Sequence, residues 1–231
     1  MKYICALLIL LVLCSCTHDT SESAHAKANV NLNKSTNTGK SLFKASTFVY
    51  ECERDFSFVA RVEDPDSIWL FLPNETLKLP HVQSASGAKY QNAEVLFWNK
   101  GNSAMLEGFG TQYKACLNNR MLAVWEHSKL NGFDYRAVGN EPGWVLEISE
   151  GKGLVFQYDY GQSTKIFPYL PPKTDNTKRQ SIYTSTLDKA QIEVLIKGQF
   201  CQDTMADQSY ESAVTINFNG KQYHGCGKSL H

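Results

Sequence analysis

Two dipeptides in the first half of the chain, Ser86-Gly87 and Lys100-Gly101, carry side chains that can take part in chemistry. A hydroxyl and an ammonium group can both donate hydrogen bonds to a carboxylate, or they can act as the nucleophile and base of a Ser-Lys hydrolase. A hydrolase also needs a buried lysine of lowered pKa, an oxyanion hole and a nucleophile elbow, and the sequence shows no such elbow. We therefore predict that the pair binds a partner and that the chain is not an enzyme.

A second set of reactive residues lies near the C-terminus. Cys201, Asp203, His224 and Cys226 can be assembled into a metal site, but no pair among the six histidines has the spacing of a zinc motif. Glu141 and Asp203 would make a glycosidase pair only if the fold brought them together. We predict no metal site and no cofactor.

The N-terminus has the features of an export signal. Lys2 supplies a positive charge, and the apolar run from 4 to 13 is too short to span a bilayer. The segment Leu13-Cys14-Ser15-Cys16 resembles a lipobox that ends at Cys16, whereas bulky Leu13 directly before Cys14 disfavours that rival. We predict a signal peptide over 1–15 and a lipid anchor on Cys16. Thr17 is not acidic, which favours the outer membrane of a bacterial envelope.

The remaining cysteines predict two disulfide bonds. Once Cys5 and Cys14 have left with the signal peptide and Cys16 carries lipid, four of the seven cysteines remain, and four allow three pairings. An oxidising compartment favours disulfides. We favour the pairings Cys52–Cys116 and Cys201–Cys226, which would each cross-link one domain and contribute about 3 to 4 kcal/mol in a chain-entropy estimate.

The elements that position these residues are predicted to be strands in two domains. Residues 16–46 are polar and predict a flexible tether. Apolar residues then alternate, as Phe56, Phe58 and Ala60 do. We expect strands near 47–53, 56–62, 67–72, 76–79, 94–98, 103–107 and 111–117, then near 143–149, 153–160, 163–167, 181–186, 190–197, 212–218 and 221–224. The fold class is therefore all-β: a domain over 47–119, a linker over 120–132 with a helical turn around 121–125, and a β-rich domain over 133–231.

The first domain resembles a known family over its whole length. The segments from Leu79 to Tyr90 and from Phe97 to Ala104 closely resemble the MliC family, the membrane-bound inhibitors of c-type lysozyme, and the resemblance runs from Tyr50 to Cys116. It implies a small antiparallel β-barrel closed by Cys52–Cys116. It also implies that c-type lysozyme is the partner.

The resemblance assigns roles to single residues. In the family, the serine of a Ser-Gly-x-x-Tyr motif and the lysine of a Lys-Gly motif enter the lysozyme cleft. Here these residues are Ser86 and Lys100, supported by Gly87, Tyr90 and Gly101. Tyr90 and Trp98 are expected in the core beneath the loops. The chain departs from the family at Val95, where an aromatic residue is usual, and at Asn99, where a hydroxyl residue is usual.

The two loops must lie close together if one cleft is to receive both. We predict a two-residue turn at Gln91-Asn92, because asparagine tolerates the left-handed region. This turn would place Tyr90 opposite Ala93 and Ser86 opposite Phe97, with Lys100 on the order of 10 Å from Ser86.

Charge and the second domain complete the predictions. Residues 47–119 hold six basic and nine acidic residues, a net charge of −3, which argues against a nucleic-acid partner and favours a basic protein partner.

The segments 136–144, 201–205 and 225–227 resemble a domain found in uncharacterised bacterial envelope lipoproteins. We predict a lipid-anchored inhibitor that enters the cleft of c-type lysozyme; the alternative is a structural or glycan-binding envelope lipoprotein.

Overall fold

The computed structural model describes residues 44–231, so the predictions for the signal peptide, Cys16 and most of the tether lie outside the described residues. Within this part, an antiparallel β-barrel and a curled β-sheet are connected by a helix. The predicted all-β class, with a small barrel followed by a second β-rich region, is confirmed. Between residues 44 and 231, no helix combines the length and the apolar character needed to cross a bilayer.

Eight antiparallel strands form the closed barrel, in which each strand pairs with the next along the chain and the last pairs with the first. They are β1 (Ser46–Glu51), β2 (Ser57–Asp64), β3 (Ser67–Phe71), β4 (Thr76–Val82), β5 (Ala88–Gln91), β6 (Leu96–Lys100), β7 (Ser103–Gly108) and β8 (Thr111–Asn118). Seven of these are predicted from the sequence. The exception is β5, which has four residues and only Tyr90 fully buried, so it shows no apolar alternation.

Aromatic residues fill the barrel. The ring of Tyr50 lies 5.5 Å from that of Phe58 and 5.6 Å from that of Phe97, between ring centroids. Phe58 and Ala60 are buried, as their alternation predicts. Each fully buried large side chain contributes about 1.5 to 3 kcal/mol. A disulfide joins Cys52, just after β1, to Cys116 of β8, which is the predicted pairing.

The second region is a nine-stranded antiparallel sheet with a two-stranded extension. Its strands are β9 (Tyr135–Asn140), β10 (Gly143–Ser149), β11 (Gly153–Tyr158), β12 (Ser163–Phe167), β13 (Lys173–Asp175), β14 (Gln180–Leu187), β15 (Ala190–Lys197), β18 (Ser212–Phe218) and β19 (Lys221–Ser229), with β16 (Cys201–Asp203) and β17 (Gln208–Tyr210) in the extension. The spatial order of the large sheet is β12-β11-β10-β9-β19-β18-β15-β14-β13. The predicted Cys201–Cys226 disulfide is present and ties the extension to β19.

Seven of these eleven strands are predicted. Strand β9 is not, because Arg136 and Gly139 interrupt its apolar pattern, although it lies near the middle of the sheet. The remaining three strands that the sequence does not predict are short. The β18–β19 turn at Asn219-Gly220 has positive φ at both residues, 49° and 78°, as a type I′ turn requires.

Helix α1 (Arg120–Leu130) is longer than the helical turn predicted around residues 121–125. Its residues are buried on more than one side, at Ala123, Trp125 and Ser128, so no single apolar stripe marks it in the sequence. It packs on the barrel, where Thr47 Oγ1 lies 3.0 Å from His127 Nδ1. Burial, and the nearby charge of Arg61, lower the pKa of His127.

Candidate functional site

The two candidate loops lie at the same end of the barrel. Because successive strands alternate in direction, one end, which we call the site end, carries residues 65–66, 83–87 and 101–102 together with the end of β8. The opposite end carries the turns at residues 52–56, 72–75, 92–95 and 109–110. Ser86 lies in the β4–β5 loop and Lys100 is the last residue of β6, so the barrel brings both to the site end.

The pairing of β5 with β6 sets these loops closer together than the sequence analysis predicts. The predicted two-residue turn is wrong: β5 ends at Gln91 and β6 begins at Leu96. The Asn92 side chain caps the intervening loop, because its Oδ1 accepts hydrogen bonds from the backbone N–H groups of Glu94 (2.9 Å) and Val95 (2.7 Å).

The longer turn changes the register. Tyr90 pairs with Phe97 and Ala88 pairs with Asn99, whereas the prediction places Ser86 opposite Phe97. Continuing this register by one residue sets Gly87 beside Lys100. The hydroxyl of Ser86 and the ammonium of Lys100 therefore extend from neighbouring positions, with no intervening stretch of strand.

Gly87 allows the close approach of the two loops. Its φ is +71°, and a Cβ atom at this position would lie 2.2 Å from the carbonyl oxygen of Asn99. Any other residue would both strain the backbone and push the loop off β6. Gly101 also has positive φ, +61°, but a Cβ atom there would meet open space. Gly87 is therefore needed for space and conformation, and Gly101 for conformation alone.

Trp98 holds the β4–β5 loop at residues 83–87, which we call the serine loop, from outside the barrel. Its indole N–H donates a hydrogen bond of 2.8 Å to the carbonyl oxygen of Ser86. The residue is 37% exposed, so the expectation of a core tryptophan is wrong, although it does support the loop. The signal was present in the sequence: Phe97 and Asn99 flank Trp98, and alternation sends the residue between two inward-facing neighbours outward.

Tyr90 supports the loops from inside. It is buried in the barrel core, where its ring packs edge-on against His81 at 5.2 Å and lies tilted beside Phe97 at 6.2 Å, between ring centroids. Burial raises the pKa of its hydroxyl. The two departures from the family also point inward, because Val95 is buried and the Oδ1 atom of Asn99 has no contact with solvent. Of these three residues, Tyr90 and Asn99 belong to β5 and β6, whereas Val95 lies in the turn at the opposite end of the barrel.

The β6–β7 turn at residues 101–102, which we call the lysine turn, is hydrogen-bonded to β8. The backbone N–H of Asn118 donates a 2.9 Å hydrogen bond to the carbonyl oxygen of Asn102. Ser86 and Lys100 are exposed. Within residues 44–231 the Lys100 ammonium forms no ion pair, and the Ser86 hydroxyl forms no hydrogen bond. Both side chains are therefore free to bond to a partner on a rigid support.

The site end also carries acidic residues, in the β2–β3 hairpin. Asp64 lies at the end of β2, and the hydroxyl of Ser67 donates a 2.8 Å hydrogen bond to it. This bond, together with the backbone N–H of Asp66, lowers the pKa of the Asp64 carboxyl. A negative charge at this end favours the approach of a basic molecule.

The second set of candidate residues serves the fold. Asp203 is buried and accepts hydrogen bonds from Asn140 Nδ2 (2.7 Å) and from the backbone N–H of Met205 (3.0 Å). Cys201 and Cys226 form a disulfide with each other, so neither has a thiolate to offer to a metal ion. In the part of the chain that the structure describes, no three His, Cys, Asp or Glu side chains are grouped to hold a metal ion.

Comparison with known proteins gives one family. A sequence model of the membrane-bound lysozyme-inhibitor of c-type lysozyme (MliC) matches residues 50–115. The membrane-bound lysozyme inhibitor of C-type lysozyme from Yersinia enterocolitica is 37% identical over 100 residues, which cover 42% of this chain and 83% of that relative. No solved structure matches the chain significantly. Through its barrel, the chain belongs to the family of membrane-bound lysozyme inhibitors of c-type lysozyme.

Proposed function

We propose that this chain inhibits c-type lysozyme by inserting the Ser86 loop and Lys100 into the active-site cleft of the enzyme. The observation that carries the proposal is their geometry: the two residues sit exposed on adjoining loops at one end of a rigid barrel. They occupy the positions that the family resemblance assigns to the cleft.

The chemistry of lysozyme explains why these residue types would inhibit it. Such a glycosidase needs one carboxyl group protonated as the general acid and a second one ionised. An ammonium group beside the acid favours its ionised form and occupies the space of the substrate. The Ser86 hydroxyl can donate a charge-assisted hydrogen bond to the other carboxylate. Both contacts act on groups that the enzyme uses for catalysis.

The rigidity of the loops supports tight binding. Association costs free energy for every loop and side chain that it immobilises. Here the Trp98 hydrogen bond to Ser86 and the Asn118 hydrogen bond to Asn102 hold both loops in place before binding. The net free energy of binding is therefore not reduced by a cost of ordering the backbone of these loops.

The proposal includes a place in the cell. The lipobox at Cys16 would attach the exported chain to the outer membrane by acyl chains, and two such chains give stable anchoring. An inhibitor held there would protect the peptidoglycan of the envelope from lysozyme.

Inhibition of a c-type lysozyme by the mature chain, made soluble by Cys16→Ser, tests the mechanism. We expect Lys100→Ala to raise the inhibition constant about 100-fold, since residues at the centre of an interface contribute about 2 to 4 kcal/mol. Ser86→Ala should have a smaller effect in the same direction, because it removes one hydrogen bond.

Lys114→Ala is the matched control, because Lys114 is an exposed lysine in the middle of β8, whereas both loops lie at the site end. Its inhibition constant should stay that of the wild type. A fully oxidised wild-type chain without inhibitory activity would refute the proposed function. Equal losses in Lys100→Ala and Lys114→Ala would refute the assignment of Lys100 to the cleft.

A further inference from the structure

The chain leaves the barrel beside the lysine turn. Leu117 of β8 pairs with Ser103, the first residue after that turn, and is 57% exposed. The next residue, Asn118, donates its backbone hydrogen bond to Asn102. Helix α1 begins two residues later, at Arg120. The start of the helix therefore belongs to the site end.

Large apolar side chains are concentrated in this stretch. We call Leu117, Met121, Leu122 and Val124 the apolar ridge; they are 57%, 48%, 38% and 47% exposed. Single exposed apolar residues are normal on a protein surface, but a concentration of them marks an interaction surface. Four within the span of residues 117–124, next to a candidate binding loop, are such a concentration.

The apolar ridge is held in place by hydrogen bonds. Asn119 caps α1, since its Oδ1 accepts from the backbone N–H of Leu122 at 3.1 Å. Its Nδ2 donates to Glu51 Oε1 at 3.0 Å, and its backbone N–H donates to the carbonyl oxygen of Val49 at 2.7 Å. The first turn of the helix is thus fixed to β1, and the exposure of the ridge belongs to an ordered surface.

The size of a stable interface requires more surface than the two loops provide. Inhibitor complexes of ordinary size use about 20 to 30 residues on each side. The two loops supply only eight residues, five from 83–87 and three from 100–102. A partner that receives Lys100 in its cleft must rest the rim of that cleft on the neighbouring surface. Besides Trp98, the apolar ridge supplies large exposed apolar side chains there.

We infer that the apolar ridge is a second contact surface for the same c-type lysozyme, beside the cleft that receives Lys100. The inference rests on the proposed function. The ridge lies beyond residue 115, where the match to the family model ends. It therefore adds binding surface that the matched segment of the barrel does not contain.

The test compares a ridge variant with a control at the opposite end of the barrel. The variant is Leu117→Ser with Met121→Ser in the mature chain carrying Cys16→Ser. The control is Phe109→Asn, because Phe109 is also 57% exposed and asparagine tolerates its positive φ of 54°. We expect the ridge variant to raise the inhibition constant about 10-fold through faster dissociation, and the control to leave it unchanged.

Circular dichroism and thermal unfolding establish that both variants fold, and sedimentation gives their oligomeric state. An unchanged inhibition constant in the ridge variant, while Lys100→Ala loses inhibition, would overturn the ridge and keep the proposed function. If the wild type were a dimer and the ridge variant a monomer, and if both inhibited equally, the ridge would be a surface for self-association and the inference would be overturned. A wild type that does not inhibit lysozyme would remove both proposals.

Discussion

The two ends of the barrel differ in shape and in chemistry. The site end presents loops fastened by hydrogen bonds, with Ser86 and Lys100 exposed on them. The opposite end contains an apolar cavity of about 410 Å³, lined by residues that include Phe56, Leu72, Phe109 and Tyr113. The candidate binding residues lie at the site end, and the cavity lies at the other end.

This difference shows what a cleft-filling protein requires. An apolar cavity is the usual first hypothesis for a binding site, because small ligands bind in concave pockets. A protein that fills the cleft of another needs a convex, rigid surface with polar groups at its tip. The proposed site of this barrel was therefore chosen from the positions of its loops and not from its cavity.

The largest expected effect tests whether loop position at the site end is essential. In Gly87→Val, the new side chain meets the Asn99 carbonyl oxygen and must adopt positive φ, so the loop has to leave β6. We expect the inhibition constant to rise at least about 100-fold, which corresponds to about 2.7 kcal/mol. The measurement is the titration of lysozyme activity with the soluble mature chain.

Gly110→Val is the matched change at the opposite end. Gly110 also has positive φ, +72°, but a Cβ atom there meets nothing within 4 Å. The substitution should cost about 1 kcal/mol of stability and leave inhibition unchanged. If Gly87→Val inhibited as well as the wild type, the close approach of the loops would have no functional role.

A smaller effect is expected from the tryptophan that fastens the serine loop. Trp98→Phe keeps an aromatic ring on the outer face but loses the indole donor to the Ser86 carbonyl oxygen. A neutral hydrogen bond contributes about 0.5 to 1.5 kcal/mol, so the inhibition constant should rise about 3- to 10-fold. Amide hydrogen exchange in residues 84–87 should become faster. Unchanged exchange with weakened inhibition would instead show that Trp98 itself contacts the enzyme.

The sequence predicts most of the barrel because its strands alternate clearly. Phe58 and Ala60 are buried as expected, and the two disulfides are the pairings that we favoured among the three that four cysteines allow. The four residues of β5 show no apolar alternation, and the strand forms through its pairing with β4 and β6. The length of helix α1 was underestimated, because its buried residues face several sides and its sequence therefore shows no helical period of apolar residues.

The candidate site was predictable as a set of residues and less so as a geometry. Ser86 and Lys100 came from the motif resemblance, and the barrel places them on adjoining loops. Their register could not be read from Gln91-Asn92, because the Asn92 side chain closes a longer loop by bonding to two backbone N–H groups. Neither the hydrogen bond of Trp98 nor the position of Leu117 beside the lysine turn has a local sequence signal.

The smallest expected effect on inhibition comes from the opposite end of the barrel. Tyr113 stacks on Phe56 with ring centroids 4.2 Å apart, and the Arg54 guanidinium lies 5.2 Å from the centre of its ring. Tyr113→Leu removes both contacts and should lower the free energy of unfolding in urea by about 1 to 2 kcal/mol. Because the change lies away from both loops, the inhibition constant should stay within about 2-fold of the wild type at temperatures where the variant is folded. A loss of inhibition as large as that of Trp98→Phe would mean that the two ends are mechanically coupled through the core, and that the site end owes its rigidity to the whole barrel as well as to its local hydrogen bonds.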